Sequence, residues 1–497
     1  MGVGLATVDL VSGDGKADNR AIEGTGSRTR LEPIDSVLLA AFVVVAGLGI
    51  WTRCLMVNDG AVCLSAAWLG NAWDLCLSQF AGRWVSSFLL FGPAWAARSA
   101  LGLSSDAYMT VAHALYFAVP LALWLMIRAV EPHAVFSRLY LAVSLAFVYF
   151  PTELIVGAGL WMMWAAFVAN PARSAGQVAA TTLLLGIAIV FTHAAAMLMS
   201  LLYLLAGSAL SIFGRPFPRR TLVATAAMTV LLLLGYLATN VLLPSINPTA
   251  ARALLANRYD FVDPWWMLAT LGQSPMLIAM WLLMIAPGAN AARLRWRVSS
   301  AAMAVIAAFG VWFAVNGVSQ ITWVYVRHTG TYALVLALAL AIASPLDVWL
   351  AAARRALAFF AVIAVAAAAS YSVDLVLLER FVDRHLAPGI VDAEALPAAA
   401  WPPQRKMLSF RHVFFKWTAG ADYVRDVVVA DYDWYLVTLA FQSFFLSQRS
   451  AVLFHRVPEG GWIVFECAPV KRALDHARDE LDAKFLRFVL AEGYCVP

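Results

Sequence analysis

SVLLAAFVVVAGLGIWT, residues 36–52, is the first of a series of apolar stretches that decide the fold of this chain. It carries no charged residue, and its length is close to the ~20 residues that a helix needs to cross a bilayer. Because backbone polar groups find almost no water at membrane depth, a stretch that crosses there must be helical. The whole chain is 62% hydrophobic and 13% charged, with a mean hydropathy of +0.76, which is far from the balance of a soluble domain.

Stretches of this kind predict about eleven transmembrane helices. They lie near residues 36–52, 107–127, 139–151, 155–170, 177–192, 195–213, 221–243, 265–286, 300–317, 330–346 and 356–376. The third and fourth are short, so one re-entrant pair is an alternative there. The predicted fold class is an all-α polytopic membrane protein with a small C-terminal α+β domain.

The distribution of arginines predicts the orientation of these helices. The short loops on one side carry eleven arginines, against six in the longer loops on the other side. The eleven are Arg128, Arg138, Arg173, Arg215, Arg219, Arg220, Arg293, Arg295, Arg297, Arg354 and Arg355. We expect this side, and the N-terminus with it, to face the cytoplasm. The formal charge of +5 then partly reflects topology, and it does not indicate a nucleic-acid partner.

All five cysteines fall on the other, outer side in this topology. They are Cys54, Cys63, Cys76, Cys467 and Cys495. An oxidising compartment would allow a disulfide such as Cys467–Cys495. Because five is an odd number, at least one thiol is free or bonded to another chain.

Three parts of the chain lie outside the apolar stretches. Residues 1–35 are rich in Gly, Ser and charges, which predicts a disordered cytoplasmic tail ahead of the transmembrane domain 36–376. Residues 53–106 form a long outer loop, in which Ala66–Leu90 suits helices that lie along the membrane surface. Residues 377–497 follow the last apolar stretch and predict a soluble domain on the outer side.

Short patterns in this last domain predict its α+β character. Ala451–Val457 and Trp462–Cys467 flank a Pro-Glu-Gly-Gly turn, which is a hairpin signal. Val470–Glu492 has the apolar spacing of an amphipathic helix.

Two acids and a histidine occupy the outer ends of apolar stretches. Asp59 follows the first stretch, where a carboxylate can serve as a general base, although an Asn-Asp-Gly turn is the alternative explanation. Glu153 stands in a very short outer turn ahead of Trp161, and a carboxylate so near the bilayer is costly unless it is paired or faces a polar cavity. His193 occupies the next outer turn.

Two arginines lie beside aromatic residues on the same face. Arg83 precedes Trp84 in the outer loop, and Arg327-His328 follows Tyr325 in a late outer turn. A guanidinium at headgroup depth binds a lipid phosphate or a carboxylate, or it merely anchors the chain at the interface.

The joint layout resembles the GT-C class of integral-membrane glycosyltransferases, most of all bacterial members that decorate cell-envelope glycans. In those, an acid follows the first helix, a Gly-Arg-aromatic patch comes next, and a Glu precedes a Trp in the second outer loop. The corresponding residues here are Asp59, Gly82-Arg83-Trp84, and Glu153 with Trp161. The resemblance covers residues 36–345. Many relatives have paired acids at the first position, where this chain has Asn58-Asp59.

The resemblance implies transfer of a sugar, with inversion, from a polyprenyl-phosphate donor to a glycan or lipid acceptor on the periplasmic face. Asp59 would be the base that deprotonates the acceptor, Glu153 would be a second catalytic carboxylate, and Arg327, Arg83 and His328 would bind the donor phosphate. His193, Trp84, Trp161 and Tyr325 would orient the substrates. No cofactor is required by this reasoning, and a divalent metal is an open alternative. The expected partners are the donor, the acceptor and membrane lipids.

Two rival functions remain open on the sequence. A transporter or lipid-linked glycan flippase would place charged residues and broken helices at midplane. This chain offers little there beyond His113, Asn240, Gln273-Ser274-Pro275 and Asn316. An O-antigen-ligase-like enzyme would carry its large loop between late helices, whereas the large soluble part of this chain is terminal.

Overall fold

The computed structural model describes two parts of the chain. The first is a set of nearly continuous ranges, 31–56, 63–64, 83–131, 134–147, 153–193, 195–212 and 217–239. The second consists of helical positions scattered between 354 and 376, four short strands, and helical positions at 471, 474, 475 and 487.

Eight α-helices account for most of the first set. They are α1 Pro33–Trp51, α2 Trp84–Leu101, α3 Ser105–Val130, α4 Val135–Phe147, α5 Leu154–Ala169, α6 Ala175–Val190, α7 Ala195–Ile212 and α8 Arg219–Leu237. A 3-10 turn, Cys54–Met56, follows α1. The helical prediction is confirmed for the described residues of the seven apolar stretches up to residue 243, and the third and fourth stretches correspond to α4 and α5.

Three of these helices are long and apolar enough to cross a membrane: Pro33–Trp51, Ala107–Val130 and Arg219–Leu237. Four shorter apolar helices lie beside them. These helices indicate a membrane protein. The predicted stretches 265–286, 300–317 and 330–346 lie outside the described residues.

The start of α1 differs from the prediction. Pro33 occupies its first turn, and Glu32 and Asp35 form a reciprocal capping box, so the helix begins inside the segment predicted to be a disordered tail. Proline at the start of a helix and a capping box both stabilise the first turn. Residues 33–35 are therefore helical.

Helix α5 is the centre of the bundle. Fourteen of its residues are buried, and it packs against α2, α3, α4, α6, α7 and α8. A helix that is apolar all round must be surrounded by other helices or by lipid. Two tryptophans form hydrogen bonds between α5 and its neighbours. Trp161 donates to Ser200 Oγ on α7 at 3.2 Å, and Trp164 donates to Thr182 Oγ1 on α6 at 2.9 Å.

The bundle has two distinct polar ends. At one, which we call the Asp35 end, the Asp35 carboxylate binds Arg138, and Asn170 Nδ2 donates to the Val130 carbonyl at 3.1 Å. These contacts join the start of α1 and α4 to the finish of α3 and α5. The opposite end, which we call the Glu153 end, carries the start of α5 and the C-terminal residues of α6 and α8.

The C-terminal region contains four short strands in two parallel pairs. Strand β1, Gly389–Val391, pairs with β2, Val452–Phe454, and β3, Phe465–Glu466, pairs with β4, Cys495–Val496. The predicted hairpin is wrong in its pairing, because β2 and β3 lie in its two arms but each pairs with a distant segment. The alternating pattern identified the strands but carried no information about their partners.

Candidate active site

Glu153 is the residue that precedes the first turn of the central helix α5. Its side chain is 3% exposed, and Oε2 lies 3.3 Å from Nη1 of Arg83. The other oxygen, Oε1, is buried and has no hydrogen-bond partner among the residues that the structure describes. Burial of an acceptor that lacks a partner costs free energy. A ligand group that donates a hydrogen bond to this oxygen would remove that cost.

Arg83 stands at the start of α2, where its side chain is 36% exposed. The first turn of α2 is hydrogen bonded to the residues that follow α6. The Val85 amide donates to the Phe191 carbonyl at 2.9 Å, and the Ser86 hydroxyl lies within 3.2 Å of the Thr192 carbonyl. Trp84 stacks on Phe191 with 6.1 Å between ring centroids. Arg83 is thus held over Glu153 by its backbone as well as by its charge.

The turn after α6 lies beside the starts of α5 and α2 and forms a third side of the site. A Cβ on Gly157, one turn into α5, would lie 2.9 Å from Thr192 Oγ1 and 3.8 Å from the His193 Cβ. Glycine at this position therefore allows the turn to approach the first turn of α5 closely. Thr192 is fully buried and donates to the Ile189 carbonyl at 2.7 Å, whereas His193 is half-buried at the rim.

A tyrosine that the sequence did not single out lies at the same end of the bundle. It is Tyr236, in the last turn of α8. Gly235 beside it has no room for a Cβ because Val190 of α6 occupies that space. The close approach of α8 to α6 brings Tyr236 to the Glu153 end.

The electrostatics of the pair are asymmetric. The carboxylate is almost fully buried, but the guanidinium is more than a third exposed, so an incoming anion reaches Arg83 first. Charge-assisted hydrogen bonds of a guanidinium to phosphate or carboxylate are strong and geometrically specific. The arrangement can therefore hold an anionic group on Arg83 while Glu153 Oε1 accepts a hydrogen bond from a neighbouring hydroxyl.

The structure brings together four of the residues predicted from the sequence: Arg83, Trp84, Glu153 and His193. Trp161 is placed differently. It is fully buried, its indole N–H donates to Ser200, and its ring packs edge-on against Tyr203, so its described contacts are with other helices of the bundle.

Four predicted site residues, Asp59, Tyr325, Arg327 and His328, lie outside the described residues. The 3-10 turn that leads toward Asp59 is anchored, since the Leu55 amide donates to His113 Nε2 at 3.0 Å. His113 Nδ1 is in turn 2.7 Å from the Met109 carbonyl, so both ring nitrogens of this histidine have partners.

Two further observations concern metals and cysteines. Within the described ranges there is no group of three or more His, Cys, Asp or Glu that could hold a metal ion. Cys63 is disulfide-bonded, and Cys54 is a free thiol whose pKa is raised by complete burial. The predicted pair Cys467–Cys495 remains a prediction, since Cys467 is outside the described residues.

Comparisons with protein families, with curated proteins and with solved structures found no match to this chain.

Proposed function

We propose that this chain is an integral-membrane glycosyltransferase that moves a sugar from a polyprenyl-phosphate donor to a glycan or lipid acceptor of the cell envelope. The observation that carries the proposal is the pairing of a buried Glu153 with a half-exposed Arg83 at one end of a bundle of apolar helices. Sugar transfer from a lipid phosphate needs an anion-binding group and a carboxylate side by side at the membrane edge.

The proposed reaction is a direct displacement with inversion at the anomeric carbon. The acceptor hydroxyl gives its proton to a carboxylate as its oxygen bonds to the sugar, and the bond between the sugar and the phosphate oxygen breaks. Arg83 stabilises the charge that develops on the leaving phosphate, a contribution that is often the largest in such reactions. Glu153 Oε1 accepts a hydrogen bond from a substrate hydroxyl.

The remaining roles rest on the sequence. Asp59 is proposed as the base, three residues beyond the anchored turn Cys54–Met56. Arg327, His328 and Tyr325 are proposed to extend the phosphate-binding surface, and His193 and Trp84 to orient the donor sugar. Glu153 replaces Asp59 as the base if Asp59 is only a turn residue.

The proposed orientation places the Glu153 end in the periplasm and the domain 377–497 on the same side. The arginine asymmetry supports this orientation. The disulfide at Cys63 supports it independently, because structural disulfides persist in oxidising compartments. Cys63 belongs to the Glu153 end, since its carbonyl accepts from Trp95 and the next carbonyl, that of Leu64, accepts from Tyr108 near the start of α3.

The experiment is a donor panel offered to the purified protein in nanodiscs, with release of polyprenyl phosphate measured by mass spectrometry. We expect one donor to be cleaved when acceptor is present, and Asp59→Asn to lower the rate by about 10²–10⁴-fold, as removal of a general base does. If the protein moves an intact lipid-linked glycan across the membrane of liposomes and cleaves no donor, it is instead a flippase.

A further inference from the structure

A cavity of about 650 Å³ lies between α6 and α8, at the Asp35 end and therefore away from the Arg83–Glu153 site. We call it the α6–α8 groove. Its floor is made of small residues, among them Ala175, Ala179 and Ala227. Leu183 and Val223 flank it and are 54% and 62% exposed, so the groove opens sideways toward the surroundings of the bundle.

The groove has a wedge shape because α6 and α8 touch at one end and separate at the other. Gly186 of α6 has no room for a Cβ against Leu231, and Gly235 of α8 has none against Val190. The two helices therefore make close contact toward the Glu153 end. They diverge toward the first residues of α8, where the cavity lies.

The wide end of the wedge is positively charged. Arg219 and Arg220 line it, and none of the described residues that line the groove is acidic. Nε and Nη2 of Arg220 are buried and have no hydrogen-bond partner among the described residues. Buried guanidinium N–H groups without acceptors are costly, so an anion at this point would relieve that cost.

The walls deeper in the groove are apolar. Thr182 is the exception among the described lining residues, and its hydroxyl oxygen already accepts from Trp164. Arg219–Leu237 is a candidate membrane span, which puts its two arginines at headgroup depth. From Arg219 to Leu231 the helix extends about 18 Å at 1.5 Å per residue, close to half of the ~30 Å hydrocarbon core.

We infer that the α6–α8 groove binds one anionic phospholipid of the surrounding membrane. Its phosphate lies on Arg219 and Arg220, and one acyl chain lies along the wall that ends at Leu231. The charge of the arginines selects the headgroup, and the length of the groove matches an acyl chain confined to one leaflet. This inference does not depend on the proposed sugar transfer.

Native mass spectrometry of the full chain tests the inference, with phosphatidylglycerol, phosphatidylcholine and inorganic phosphate as probes. We expect phosphatidylglycerol to remain bound after delipidation and to bind at least 10-fold more tightly than phosphatidylcholine. The double variant Arg219→Gln/Arg220→Gln should lose at least 10-fold of that affinity. Arg354→Gln is the control for loss of an arginine elsewhere on the protein, because Arg354 pairs with Glu32 outside the groove, and it should bind as the wild type does.

A second variant separates the groove from surface charge. Ala227→Phe fills the wedge at an exposed position and leaves both arginines in place, so it should also weaken phosphatidylglycerol binding. Unchanged binding in Ala227→Phe, equal affinity for the two phospholipids, or full binding in the double arginine variant would each overturn the inference. Displacement by inorganic phosphate, or stronger binding of polyprenyl phosphate, would overturn the assignment of the occupant.

Discussion

Arg138 binds Asp35 through two parallel hydrogen bonds, Nε to Oδ1 at 2.7 Å and Nη2 to Oδ2 at 3.1 Å. The two side chains are 3% and 1% exposed. Arg128 reaches the same carboxylate at 3.5 Å, and Glu32 lies 3.1 Å from Arg138. The cluster ties α1 to α3 and α4 at the end of the bundle opposite the candidate active site.

Removal of one partner of this pair should destabilise the protein strongly. Arg138→Leu leaves a buried carboxylate without its main partner, and we expect a loss of about 3–5 kcal/mol in the free energy of unfolding. The double variant Asp35→Leu/Arg138→Leu should recover most of that loss, because both buried charges are gone. Denaturation in detergent measures the effect, and a single variant as stable as the wild type would contradict it. Arg354→Gln, which breaks an exposed pair with Glu32, should cost less than about 1 kcal/mol.

Glu131, which follows α3, should make the stability of the protein depend on pH. Burial raises its pKa from 4.5 to about 7, although Ser137 donates two hydrogen bonds to the carboxylate. A raised pKa means that the folded protein holds a proton that the unfolded chain releases. The stabilisation is therefore complete below pH 4.5 and is lost as the pH rises to about 7. We expect the melting temperature to be lower at pH 8 than at pH 5.

The isosteric variant isolates this effect. Glu131→Gln cannot titrate, so its melting temperature should change less between pH 5 and pH 8 than that of the wild type. Equal pH dependence in the two proteins would assign the effect to another group.

Two exposed positions report the orientation of the bundle. Leu101, 69% exposed, ends α2 beside the start of α3, and Ala172 lies in the exposed loop between α5 and α6 at the Asp35 end. In intact spheroplasts a membrane-impermeant maleimide should label Leu101→Cys, and Ala172→Cys should require permeabilisation. The reverse pattern would put the Glu153 end in the cytoplasm and remove the proposed periplasmic chemistry. Wild-type labelling provides the background from native thiols.

Gly157 should be required for the shape of the candidate site. A methyl group there would press on Thr192, which is buried and hydrogen bonded, so Gly157→Ala should cost about 1–3 kcal/mol and slow any transfer by displacing His193. Gly176→Ala in α6 is the matched control, since a Cβ there meets nothing within 4 Å. It should be neutral or stabilising by up to about 1 kcal/mol, without effect on activity. Equal effects of the two substitutions would show that the contact with Thr192 is unimportant.

Among the described helices, α2, Trp84–Leu101, was not one of the predicted apolar stretches. Hydropathy was sufficient to locate the other seven, because burial in lipid or in the bundle demands long apolar stretches. It was not sufficient to place α5 at the centre, since Leu154–Ala169 and the lipid-facing helices have similar composition. The prediction of which short strands pair with each other also failed. Strands of two or three residues, such as β2 and β3, have no pattern long enough to specify a register.

The free-energy cost of placing charged side chains near a bilayer identified part of the candidate site from the sequence. Glu153 and Arg83 were conspicuous because charges near a bilayer need partners or a task. Their contact across 70 residues was not predictable, because it depends on the fastening of α2 to Phe191 and Thr192. Tyr236 gave no signal, since tyrosines are common at the ends of membrane helices.

The Arg83–Glu153 pair can be separated into a phosphate-binding group and a hydrogen-bond acceptor. Glu153→Gln keeps the size of the side chain but removes its charge, so turnover should fall by at least about 10-fold while donor binding is kept. Arg83→Gln should weaken donor binding by about 10–100-fold, the worth of a charge-assisted hydrogen bond. Turnover and donor binding are measured for both variants in nanodiscs. Arg98→Gln, at the other end of α2, is the control.

The double variant Arg83→Gln/Glu153→Gln decides whether Arg83 acts on the donor or only neutralises Glu153. Removal of Arg83 alone leaves a buried carboxylate that could repel the donor phosphate, and removal of both charges cancels that repulsion. If Arg83 binds the phosphate, donor affinity in the double variant should stay as low as in Arg83→Gln. Recovery of wild-type affinity would make Arg83 a structural partner of Glu153, and the donor phosphate would then have to be bound at Arg327.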